Sequence, residues 1–203
     1  MYDYEHIMTF DEAAGYDYSG AGGSGGGGGM SSQLPLPGVS ASTGGGAAAQ
    51  QLLPRKVKSV KSDSSIDLRG PMEVDGSVKS MGAISFTGDF SVRDRIEAYG
   101  NIDIDGNVTC RNKLKSFGNV KTNGIVECLD KVKIFGKLKV TGRFEVQGDI
   151  EVWGTLTING YLKCKSLTAY ASLTTVGDHS WYETEEGETV HGAKLVQHNN
   201  YQG

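Results

Sequence analysis

The sequence is short of nearly every residue type that does chemistry. Its 203 residues include three cysteines, four histidines, four prolines and two tryptophans. The cysteines, Cys110, Cys128 and Cys164, are too few and too evenly placed for a disulfide framework, and none lies in C-x-x-C. The histidines, His6, His179, His191 and His198, all lie outside residues 64–177. That removes the imidazole base used by hexapeptide acyltransferases and leaves the cysteines without a zinc co-ligand. Nucleophile elbow, P-loop and dinucleotide fingerprint are missing too, so the expectation is a protein that is not an enzyme and needs no metal, cofactor or small-molecule substrate.

Long apolar runs are also lacking. None approaches the ~18 residues of a membrane-spanning helix, and the opening "MYDYEHIMTFDEA" has neither the basic nor the apolar block of a secretory signal. The expected location is the cytoplasm. A net charge of −4 argues against nucleic acid as the main partner. Bulky side chains are scarce in residues 1–62, where "GAGGSGGGGG" and "TGGGAAAQ" cannot offset the entropy of ordering, so this stretch is expected to be a disordered tail.

Glycine is what the sequence has in abundance, and it is metered. In "GKLKVTGRFEVQGDIEVWGTLTING" it returns at 136, 142, 148, 154 and 160, with apolar residues two and four positions after each. The register extends to Gly70, with Asp94, Asn112 and Asp130 replacing glycine at beats 18 residues apart. Alternation of period 2 with a corner every sixth residue excludes a helix, whose apolar stripe recurs at 3.6. One distinctive corner in three predicts a three-sided all-β parallel solenoid of about six coils, 18 residues each, over residues 63–177. Residues 178–203 are then an acidic and aromatic C-terminal tail.

The register assigns side chains to columns. Val78, Ile96, Leu114, Val132 and Ile150 should line one inner face; Ile66, Ile84, Ile102, Val120, Leu138 and Leu156 the second; Met72, Phe90, Val108, Val126, Phe144 and Leu162 the third. The cysteines share an inward column with Val74, Val92 and Val146, where reduced thiols serve as small hydrophobes. Met81, Tyr99, Phe117, Phe135 and Trp153, spaced by 18, should form an outward ladder, either covered by a tail or exposed as a seam for lateral contact or a partner. Lys113, Lys115, Lys131 and Lys133 read as a solvated face that keeps a solenoid soluble or, with Arg55, Lys56, Lys58 and Lys61 in the linker before the first coil, as candidates for contact with an anionic surface.

The unbroken beats, as in "GNIDIDGNV" and "GRFEVQGDIEVWG", resemble those of the bactofilins, the polymer-forming cytoskeletal proteins, over roughly residues 64–177. The resemblance implies a right-handed β-helix that assembles end to end, without nucleotide, into non-polar filaments, a homopolymeric scaffold often at a membrane, with partners recruited through the tails. The long Gly-rich N-terminal tail and the acidic C-terminal one depart from the pattern and leave partners open. The physics of an uncapped coil points the same way, because it exposes backbone donors and acceptors together with a slice of core. At the first coils that slice should hold Ile66, Leu68, Met72 and Val74, and at the last Thr168, Tyr170, Thr174 and Val176. The N-terminal slice is the more apolar, so Leu68→Arg or Met72→Arg is expected to abolish filaments and spare the fold. The competing expectation is a non-polymerising binding module that uses the ladder or the basic face.

Overall fold

A computed structural model of the chain describes residues 53–198. The N-terminal tail expected before residue 63 therefore lies largely outside the described residues. Within them there is no helix, and parallel strands stack as a solenoid of about eight turns of ~18 residues. At the strand spacing of ~4.8 Å, such a stack is about 38 Å long.

Among the described residues, seventeen strands make it. The first turns comprise β1 (Arg55–Val57), β2 (Val60–Ser62), β3 (Ile66–Arg69), β4 (Met72–Val74) and β5 (Val78–Ser80). Above them lie β6 (Ile84–Val92), β7 (Ile96–Ala98), β8 (Ile102–Cys110), β9 (Leu114–Ser116), β10 (Val120–Cys128) and β11 (Val132–Ile134). The upper turns hold β12 (Leu138–Val146), β13 (Ile150–Val152), β14 (Thr155–Ala169), β15 (Ser172–Val176), β16 (Trp181–Val190) and β17 (Ala193–Gln197).

The three inward columns fall where the six-residue beat puts them. Val78, Ile96, Leu114, Val132 and Ile150 are paired successively in parallel register and buried. So are the columns running from Ile84 to Leu156 and from Phe90 to Leu162. One turn has no interior of its own, and the core exists only between turns, so winding and burial are a single cooperative event.

Glycine serves two needs in this stack. Gly88, Gly106, Gly124, Gly142 and Gly160, midway along the longer strands, have φ between 100° and 135°. That backbone is open to glycine at little cost. The corner marked by Asp94, Asn112 and Asp130 is a different one, closed by polar side chains. The Ser77 hydroxyl donates to Asp94 at 2.5 Å and Asn112 Nδ2 donates to the same carboxylate at 3.0 Å. The Ser77 bond, ahead of Asn112 and Arg95, holds the Asp94 carboxyl below its ordinary value.

The core contains one clear flaw. Thr122 replaces an aliphatic residue between Ile104 and Val140, is fully buried, and its hydroxyl has no partner. A buried hydroxyl without a hydrogen bond costs about 1–3 kcal/mol. Thr122→Val, which keeps the shape and removes the hydroxyl, is expected to stabilise the protein by about 1 kcal/mol in denaturant unfolding.

Three expectations are corrected. The stack has about eight turns and not six, because strands continue on both sides of residues 63–177. Arg55, Lys56 and Lys61 stand on β1 and β2, in the first turn and not in a linker, with Lys58 at the corner between them. The C-terminal segment is no loose tail: β16 lies parallel on β14 and β17 parallel on β15. Its alternation is filled by Glu, Thr and Lys in place of aliphatics, which hides the strand pattern from a hydrophobicity reading.

The register departs from 18 residues at both ends of the stack, 17 between β1 and β4 and 20 to 21 where β16 and β17 pair, and it drops one residue inside the glycine beat. Cys164 keeps the 18-residue spacing above Val146, but Leu167 pairs with Ile150 and Leu173 with Leu156, each 17 residues on. Leu167, Ala169, Leu173 and Thr175 consequently turn inward, while Thr168 is half-buried and Tyr170 exposed. The assignment of Thr168 and Tyr170 to the interior is thus wrong by one residue, the one dropped at the corner before Ser166. Thr174 and Val176 are paired to Leu195 and Gln197 above them, so none of the four is a terminal slice.

Candidate functional site: two end turns and an aromatic ladder

At the N-terminal end, β1, β2 and β3 each have a strand above and none below among the described residues. Ile66 is buried at the edge of the core, while Leu68, Val57 and Val60 are partly exposed. Met72 and Val74 lie one layer in, covered by Arg55 and Val57 of β1. They belong to the stack and not to the open slice, because the chain begins its winding earlier than the glycine beat does.

The C-terminal end is mixed, with Tyr182 and Val190 packed against the core beside polar and charged side chains. Glu188 and Lys194, in the columns of Leu167 and Leu173, form an ion pair across the top of the core. Charged side chains turned toward the axis are a common way to blunt an open sheet edge. The same turn carries Glu183, Glu185 and Glu186. Tyr161 donates its hydroxyl to Glu183 at 2.8 Å, and Lys163 and Lys165 pair with Glu185 and Glu186 at 3.9 and 3.1 Å. Partial burial, then the bond to Glu183, pushes the Tyr161 hydroxyl up to about 12.

The outward ladder is real and longer than its sequence pattern. Tyr99, Phe117, Phe135 and Trp153 stack with centroids 4.8, 4.8 and 5.8 Å apart, and Met81 sits exposed below them. Two further rungs follow, Tyr170 on Trp153 at 4.6 Å and His191 on Tyr170 at 4.9 Å. The sequence reading missed both because each sits off the 18-residue beat, and the one-residue slip is what brings Tyr170 into line. Among the described residues no tail covers the ladder; the C-terminal segment extends it instead.

The basic face is not a free cationic surface. Lys115 pairs with Glu97 at 3.8 Å and its Nζ lies 4.3 Å from the Phe117 ring centre. Lys133 pairs with Glu151 at 3.0 Å and lies 5.2 Å from Phe135. Lys113 is half-buried and Lys131 exposed. Lys56 is paired with Glu73 at 3.2 Å. The lysines on this flank therefore buttress the aromatic rungs as much as they face solvent.

The three thiols are free and buried in one column. The neighbouring Cys128 thiol and burial hold the Cys110 thiol above its ordinary value. Burial, then the carboxylates of Asp149 and Glu185, pushes Cys164 up to about 12. An unfolded thiol ionises near ~8.5. Between these values the unfolded chain gives up a proton the folded one keeps, so stability falls as pH rises. The loss of melting temperature between pH 8.5 and 11 is expected to be steeper for the natural sequence than for Cys164→Val.

Surface depressions are shallow and open, one lined by Asp103, Asp105, Lys121 and Asn123, another by Lys61, Lys79, Met81, Glu97 and Tyr99. Among the described residues no cluster of His, Cys, Asp and Glu is arranged to hold a metal ion. No family model, curated protein or solved structure matches the chain.

Proposed function

We propose that this protein is a structural scaffold that assembles end to end into filaments without nucleotide, of the kind the bactofilin resemblance implies. The supporting observation is the N-terminal end: three strand edges with no described partner below them, beside a slice of core at Leu68, Val57 and Val60. Unpaired edges of this kind are templates for another chain. On this reading the protein is a cytoplasmic, cytoskeletal element and not an enzyme; the interior makes a rod, and the ends make the polymer. The test is sedimentation of the purified chain at low micromolar concentration without nucleotide, with negative-stain microscopy of the pellet. A scaffold pellets as filaments; a chain that stays in the supernatant overturns the reading.

A second reading is supported by the exposed ladder. A stripe of six stacked rings, Tyr99 to His191, suits a protein partner that inserts apolar side chains along it, and such a module has no need to polymerise.

A further inference from the structure

The aromatic ladder is an apolar stripe with nothing over it among the described residues, and the chain itself holds a segment whose composition fits it. We propose that residues 1–18, "MYDYEHIMTFDEAAGYDY", which lie outside the described residues, dock along the ladder of their own chain and keep it closed to other partners. The inference rests on the second reading above, that the ladder is a binding stripe, and is independent of whether the rods polymerise.

Charge is the first ground. Residues 113–119 and 131–137, which carry Phe117 and Phe135, hold Lys113, Lys115, Lys131, Lys133 and Lys137 and no acid. Of the acids around them, Glu97 and Glu151 pair with Lys115 and Lys133, and Asp94 and Asp149 accept hydrogen bonds from Ser77 and Ser166 at the corner. Among the described residues that leaves Asp130 against Lys113, Lys131 and Lys137, of which the last two are exposed. Residues 1–18 carry Asp3, Glu5, Asp11, Glu12 and Asp17, and every Lys and Arg of the chain follows residue 54. A second copy is the poorer occupant, because ladder laid on ladder sets these lysines against themselves.

The second ground is the pairing of ring with charge. In the segment each aromatic adjoins an acid, as in Tyr2-Asp3-Tyr4-Glu5, Phe10-Asp11 and Tyr16-Asp17-Tyr18. On the ladder each middle rung adjoins a lysine, with Lys115 Nζ 4.3 Å from the Phe117 ring centre and Lys133 Nζ 5.2 Å from that of Phe135. A ring of the segment set on a rung brings its carboxylate to the neighbouring ammonium, and both contacts are favourable.

Reach is the third. Residues 19–54 join the segment to β1, and thirty-six residues can span up to roughly 120 Å. Ile134, beside Phe135, lies four turns above Ser62 of the first turn, which is about 19 Å. A tethered segment binds at an effective concentration that a free partner has to exceed.

Trp153, a rung of the ladder, reports occupancy. In the full chain with Trp181→Phe it is the sole tryptophan, and its quenching by acrylamide is compared with that in a chain also carrying Asp3→Lys, Glu5→Lys, Asp11→Lys and Glu12→Lys. The quenching constant is expected to rise about threefold in the reversed chain, as repulsion replaces attraction, with circular dichroism unchanged. Adding Lys113→Glu, Lys131→Glu and Lys137→Glu to the reversed chain should restore protection; failure to restore it means the segment sits elsewhere and overturns the proposal. Protection within one chain survives tenfold dilution, and protection lost on dilution means another copy covers the ladder, which also overturns it. The reversed chain is titrated with the apolar dye ANS as well. If dye binds but Trp153 is equally open in both chains, the stripe binds and this segment is not its occupant, so the proposal alone falls. If there is neither dye binding nor protection, the stripe does not bind and the second reading falls with the proposal.

Discussion

Leu68→Arg is expected to reduce the pelleted fraction of the protein to background while leaving its β-sheet circular dichroism and melting temperature nearly unchanged. Leu68 stands on β3, which has a strand on one side only among the described residues, and its side chain is partly exposed there. A guanidinium at this place reaches water in the single rod. In an end contact it is enclosed against apolar surface, and burying an unpaired charge costs several kcal/mol, enough to shift an association equilibrium by more than a hundredfold. Met72→Arg has a different expected outcome from the one its sequence position suggests. Met72 is 8% exposed and lies beneath β1, so an arginine there disrupts the first turn and lowers the melting temperature. Filaments that persist in Leu68→Arg would move the contact away from this end.

Gly124→Val is expected to cause the largest loss of stability of any single substitution considered. Gly124 has φ +135°, and a Cβ built on it would stand 2.2 Å from the carbonyl oxygen of Gly106 in the turn below. Relief requires the turns to part, since the obstruction is backbone and has no rotamer to change. Backbone strain of about 1–3 kcal/mol adds to an overpacking cost of similar size. At roughly 2–4 °C per kcal/mol for a folded body of this size, the melting temperature should drop by on the order of 10 °C. Asn123→Ala, one residue away and exposed, is the control and should move it by much less.

How much of this was legible in the sequence follows from what kind of information carries each part. The solenoid, its three inward columns and the ladder from Met81 to Trp153 were written in the glycine beat and the alternation, which are local and strictly periodic. The slip after Cys164 was not, because Ser166 and Ser172 continue the beat in sequence while Leu167 and Leu173 follow the interior in space. The choice between them is made by Leu167 and Leu173 filling columns that Thr168 and Thr174 would leave polar. The last turn was illegible for a related reason. Tyr182, Thr184 and Glu188 occupy inward columns with no strand above them among the described residues, so their polarity costs little, and the hydrophobic pattern that defines a strand elsewhere has no cause to appear. The pairing of the basic face was hidden because sequence shows only same-strand neighbours, whereas Glu97 and Glu151 approach Lys115 and Lys133 from adjacent turns.

The repeated pairing of each turn with an equivalent one has a consequence for how such a molecule can change size. Because the middle turns present the same corners and the same inward shapes above and below, an insertion that duplicates residues 100–117 would add a layer without disturbing either terminus. It would also add one aromatic rung in line with Tyr99 and Phe117. Growth would come in indivisible steps of about 4.8 Å, so the protein's length behaves as an integer that evolution or an engineer can raise or lower by one.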